Sequence, residues 1–131
     1  SRYDSVIMNT IKEQNYSAAE GIKFLIKSFA EYYENYPEIT SVIFSHEMFR
    51  DEPEAIEKIR EILRNRRDFL ASLILTGQED GSICKEFDPS DLAVLILGFI
   101  NEMTNRWKIS ERSFSLKEKL LHNLDILLRL S

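Results

Sequence analysis

One cysteine, three prolines and four glycines are all that this chain of 131 residues holds of the types that most often break or staple a backbone. A lone Cys84 excludes an internal disulfide and fits a reducing compartment. So few prolines and glycines, with few β-branched alternations, argue for helices throughout. No apolar run approaches the roughly eighteen residues that a membrane span needs. No basic-then-apolar leader opens the chain, so a cytoplasmic location and no membrane partner are expected.

The chemistry-bearing patterns are missing too. His46-Glu47 is followed by Met-Phe-Arg, so the second histidine of a zinc-binding HExxH is absent. Cys84, His46 and His122 show no metal-ligand spacing. There is no glycine-rich phosphate loop, and no pair of carboxylates stands out from 22 acidic residues. The expectation is a protein that is not an enzyme and needs no metal or cofactor. With a net charge of −5 it should have no bare affinity for a nucleic-acid backbone. Its one dense basic cluster, Arg64, Arg66 and Arg67, reads as a solvated helix face.

What the chain does have is helical periodicity in a length suited to one domain, 1–131. The opening "SRYDSVIMNTIKEQ" has no initiator Met and already carries an amphipathic pattern. It reads as a cut through a larger protein. After this first segment, about 3–14, Ser17 and Glu20 form a capping box for a helix to about 36. Its stripe is Ile22, Leu25, Ile26, Phe29, Tyr33 and Tyr36. Pro37 starts a short helix, about 38–50, with Ile39, Val42, Ile43, His46 and Phe49 along one side. Pro53 opens the longest segment, roughly 54–78, whose buried side is Ile56, Ile59, Leu63, Leu70, Leu73 and Ile74. Gly77 and Gly81 bracket its end as left-handed caps. Asp88, Pro89 and Asp91 start a helix over 89–107, and Ser115 with Glu118 caps the last one, which runs to about 130. The fold class is an all-α bundle of five to six helices.

The last two helices are apolar over too wide an arc. In 89–107, Leu92, Leu95, Ile96, Leu97, Phe99, Ile100, Met103 and Trp107 fan across about 200°, twice the stripe a core-facing helix needs. The final helix spreads its leucines and Ile126 over about 220°. One central helix could be wrapped by its neighbours, but two at the end of a chain this short are hard to cover. A two-fold homodimer in which both helices of each chain form a four-helix interface solves this, with a monomer around one fully buried helix as the alternative. Candidate contacts are Val94, Gly98, Asn101, Leu121, Leu124 and Leu128. Asn101 and Asn105 could instead line a pocket rim or face water.

The order of the proline-started helix at Tyr36-Pro37-Glu38, "IFSHEMFRDEPE" (43–54), "GQEDGSI" (77–83), "DPSDLAVLILGFI" (88–100) and Trp107 resembles the C-terminal regulatory domain of TetR-family transcriptional repressors. The resemblance covers essentially the whole chain. It implies a domain that dimerises and binds a small hydrophobic or aromatic effector. Operator DNA would be reached only through an N-terminal helix-turn-helix domain that is absent here, with residues 1–14 as the end of the linking helix. It further implies a cavity among the helices at 17–36, 38–50, 54–76 and 89–107. The facing stripes then nominate Phe29, Tyr33, Val42, His46, Phe49, Leu70, Leu73, Phe99, Met103 and Trp107, each of which could equally be plain core. A stand-alone helical dimer acting as a protein-interaction module is the alternative function.

Overall fold

A computed structural model describes residues 2–38 and 51–130. The helix expected over 38–50, with Val42, His46 and Phe49, lies outside the described residues. Within them the chain is all helical: α1 (Arg2–Glu13), α2 (Ala18–Asn35), α3 (Pro53–Glu79), α4 (Pro89–Ile109) and α5 (Leu116–Leu130). Helix α2 packs on α3, α3 on α4, α4 on α5, and α5 returns to α2, so four helices close a ring. Helix α1 docks against α2 from outside that ring.

The helix ends follow the local chemistry of their first residues. Ser17 Oγ accepts from the Glu20 amide at 3.2 Å, and an Asp88 carboxylate oxygen accepts from the Asp91 amide at 3.0 Å. Ser115 Oγ likewise accepts from the Glu118 amide at 3.2 Å. Each side-chain oxygen thereby satisfies an amide that the helix cannot pair internally, a contribution of about 1 kcal/mol. Helix α5 has a second, non-local cap: Glu34 of α2 accepts from the Lys117 amide at 3.0 Å. Glu31 adds an ion pair with Lys117 Nζ, and Lys23 reaches Asp125 at 3.1 Å.

The core fills the ring. Ile22, Leu25, Ile26 and Phe29 of α2 meet Leu70 and Ile74 of α3, Ile96 and Ile100 of α4, and Leu116, Leu120 and Leu124 of α5. Burying each such side chain contributes roughly 1.5–3 kcal/mol. Helix α1 joins through Ile7 and Ile11, and through Tyr3, whose ring stacks on Tyr32 at 3.9 Å.

Gly77 does something other than cap. Helix α3 continues past it to Glu79, and the left-handed residue is Gly81, at φ +85°. At Gly77 the helix is crossed by the returning chain. A Cβ there would stand 2.5 Å from Ile83 Cδ1 and 3.1 Å from Ala18 Cβ. The missing side chain is what lets Ile83 fold back onto α3. Nearby, Gln78 Nε2 donates to the carbonyls of Cys84 and Phe87 and ties down the loop to α4.

Gly77→Ala should therefore destabilise the domain by about 1–3 kcal/mol, the usual cost of overpacking. In an Ile83→Ala background most of that penalty should vanish, because the two sites share one space. Urea denaturation of the four proteins checks it. Additive losses would mean that Gly77 matters for some other reason.

Candidate functional site

Two of the three clustered arginines are at the surface, but Arg66 is not. Its side chain is 4% exposed, buried between α1 and α2, against the expectation of a solvated helix face. The reason lies in its register on α3: Arg66 falls seven residues after Ile59 and four before Leu70, both buried. That places it on the apolar stripe itself.

A buried guanidinium must have its charge and its donors answered. Arg66 Nε donates to Asp4 Oδ2 at 2.6 Å and Nη2 donates to Oδ1 at 2.9 Å, a two-pronged fork onto α1. Nη1 donates to the Tyr33 hydroxyl of α2 at 2.7 Å. The guanidinium carbon stands 4.2 Å from the centre of the Phe29 ring, in cation–π contact. One side chain thus fastens three helices. Removing either partner of such a pair costs about 3–5 kcal/mol, because the other is left as an uncompensated buried charge.

Beside this node a cavity of about 520 Å³ opens between α3 and α4. Phe29, Leu63, Val94, Leu97 and Ile100 give it apolar walls, while Arg60, Arg64, Arg66 and Arg67 line it with positive charge. Among the described residues its lining contains no acidic one. Arg60 and Arg64 face Glu57 at 3.8 Å, and Arg67 faces Asp68 at 3.4 Å, across exposed and solvent-screened ion pairs. The size suits a small molecule. Apolar walls with guanidinium donors suit an apolar body carrying an anionic group.

The structure divides the sequence-nominated residues differently from the helical wheel. Of the effector candidates, Phe29 and Tyr33 line this cavity. Leu70 and Trp107 are buried in the core, and Leu73, Phe99 and Met103 pack half-buried against it. Of the dimer candidates, Val94, Gly98 and Asn101 form one wall of the cavity. Leu124 is wholly buried in the chain's own core and has no surface to offer a partner. Leu121 and Leu128 are half-buried on α5. Sequence reasoning missed the arginine rim and Asp4. The register of Arg66 was a usable signal for a buried cation, whereas nothing in the sequence pairs it with a residue 62 positions away.

No group of histidine, cysteine and acidic residues fit to hold a metal occurs among the described residues, and none of their helices is long and apolar enough to cross a membrane. The chain belongs to the TetR-type family described as "YsiA-like protein, C-terminal region", which matches residues 3–129. This family is one of transcriptional regulators, whose C-terminal domains in general bind an effector and dimerise. No curated protein and no solved structure matches it.

Burial raises the pKa of Tyr33, against the opposing pull of Arg66. A folded-state pKa above the unfolded value of about 10 gives stabilisation that is complete below that pH. It is lost as pH climbs through the folded pKa. In an alkaline titration followed by phenolate absorbance, Tyr33 should ionise only with unfolding, and Tyr33→Phe should remove that late step. Five tyrosines titrating together ahead of the unfolding transition would contradict the assignment.

Proposed function

We propose that this chain is the effector-binding and dimerisation part of a TetR-type transcriptional repressor, whose DNA affinity is controlled by an apolar ligand bearing an anionic group. DNA reading belongs to a helix-turn-helix segment N-terminal to it, and α1 is the end of the helix that joins the two. The observation that carries the reading is the cavity between α3 and α4, apolar in its body and lined, among the described residues, by four arginines and no acid. Phe29, Tyr33, Val94, Gly98 and Asn101 are its wall on the α2 and α4 sides.

A second copy packs on the outward faces of α4 and α5. Val94 and Leu95 on α4, 53% and 59% exposed, and Ile126 on α5, 42% exposed, keep apolar surface in water there. Leu121 and Leu128 border that surface in this arrangement.

Straight-chain carboxylates should raise the melting temperature, since a ligand that binds only the folded state stabilises it by mass action. A Cβ at Gly98 would meet nothing within 4 Å, so Gly98→Leu brings side-chain bulk to the cavity wall with no clash at its Cβ. That variant should melt at or above the wild-type temperature, because glycine is a poor helix former, by about 1 kcal/mol. It should also lose the ligand response. A wild-type protein indifferent to every carboxylate, or a Gly98→Leu variant that responds fully, would defeat the cavity assignment.

Sedimentation equilibrium at micromolar concentration should give twice the chain mass, and Leu128→Glu should return the chain to a monomer with its helix content kept. A wild-type monomer throughout that range would remove the dimer.

A further inference from the structure

Arg66 belongs to two assemblies at once. It lines the cavity, and the same guanidinium holds Asp4 in the first turn of α1. A guanidinium carries five N–H donors. Asp4 takes two and Tyr33 takes one, so two remain without a protein acceptor among the described residues. The side chain is only 4% exposed and lines the cavity, so its guanidinium is held out of bulk water.

We propose that Asp4 and the anionic group of a cavity ligand compete for Arg66, so that filling the cavity loosens the first turn of α1. This rests on the ligand reading above and adds the route by which occupancy reaches the helix that leads toward DNA. Two anions on one guanidinium lie close enough to repel each other, and a site shielded from water strengthens that repulsion. A guanidinium shared by two anions holds each less strongly than it holds one alone. Arg60, Arg64 and Arg67 do not supply the missing charge at depth, since their side chains are 61%, 51% and 43% exposed and screened by solvent.

The ligand's anion therefore takes bond strength from Asp4. Linkage makes the effect mutual: Asp4 weakens the anion by the factor that the anion weakens Asp4. The rest of α1 stays anchored through Ile7 and Ile11, so the helix yields at its first turn and does not unfold. A neutral ligand of the same length occupies the cavity without this contest. Charge carries the signal, and bulk alone does not.

The test compares decanoate with decanol on the wild-type chain and on Asp4→Asn, which keeps the size of the side chain and loses its charge. Calorimetry should show decanoate binding Asp4→Asn about tenfold more tightly than wild type, within the usual range of coupling between sites. Decanol should bind the two proteins alike. On the wild-type chain, decanoate should speed hydrogen exchange in the first two turns of α1 and decanol should not. This second measurement decides the matter by itself if Asp4→Asn fails to fold. Equal decanoate affinities for the two folded proteins, or α1 exchange that answers both ligands alike, overturns the competition and leaves the cavity standing. Failure of both ligands to bind wild type overturns the ligand reading and this inference with it.

Discussion

A charge carried into a helical core has to be answered there, and the ion pair of Arg66 with Asp4 is the constraint from which the rest of the arrangement follows. Water is gone from both side chains, so the fork, the tyrosine hydroxyl and the aromatic face must all be in place together. That requirement fixes three helices relative to one another. Helix α1 must present its first turn to the middle of α3, and α2 must bring Phe29 and Tyr33 between them. Hydrophobic burial alone tolerates sliding and repacking among similar side chains. A bidentate carboxylate–guanidinium pair tolerates little, because its two bonds fail together when the angle is wrong.

The cavity follows from the same placement. The long side chain of Arg66 stands where an aliphatic residue would otherwise continue the α3 stripe, and on the facing helix Gly98 has no side chain to fill the opposite side. The space between α3 and α4 is thus bounded by a charge below and an absence above. Val94, Gly98 and Asn101, expected at a partner surface, line the far side of that space, and Val94 keeps exposed surface as well. The apolar arc of α4 is wider than a core stripe for two reasons that a helical wheel adds together: one flank lines the cavity, and another keeps Leu95 in solvent.

Much of the architecture was legible in the residues because it is set locally. Ser17, Asp88 and Ser115 mark helix starts through contacts made within three residues, and the structure places α2, α4 and α5 directly after them. Hydrophobic periodicity found the core faces of α2 and α3 for the same reason, except at Tyr36 and Leu63, which are 51% and 40% exposed. Gly77 was misread because glycine serves two purposes, left-handed turning and close approach, and only the position of Ile83 in space separates them. Arg66 was misread because two surface arginines flank it in sequence, and its partner on α1 lies 62 positions away. Trp107 was nominated for a ligand wall from its apolar face alone, and such a face does not tell a filled interior from an empty one; here it is core. What the sequence could not carry was contact across long separations, which is where the site is made.

The carboxylate of Glu34 completes the start of α5 across 83 residues. During synthesis this acidic group waits, hydrated, while everything from α3 to the corner after α4 is made. The final helix has its own serine cap but lacks both that second partner and its packing surface until α2 lies alongside. An isolated helix of 15 residues is marginal in water. Among the described helices the one made last, α5, is therefore the one that closes the ring, and a nascent chain halted before it would expose the α2 flank that α5 normally covers. Closure of the ring waits until α5 has been made, so loss of that helix leaves an open, sticky intermediate and not merely a shorter domain.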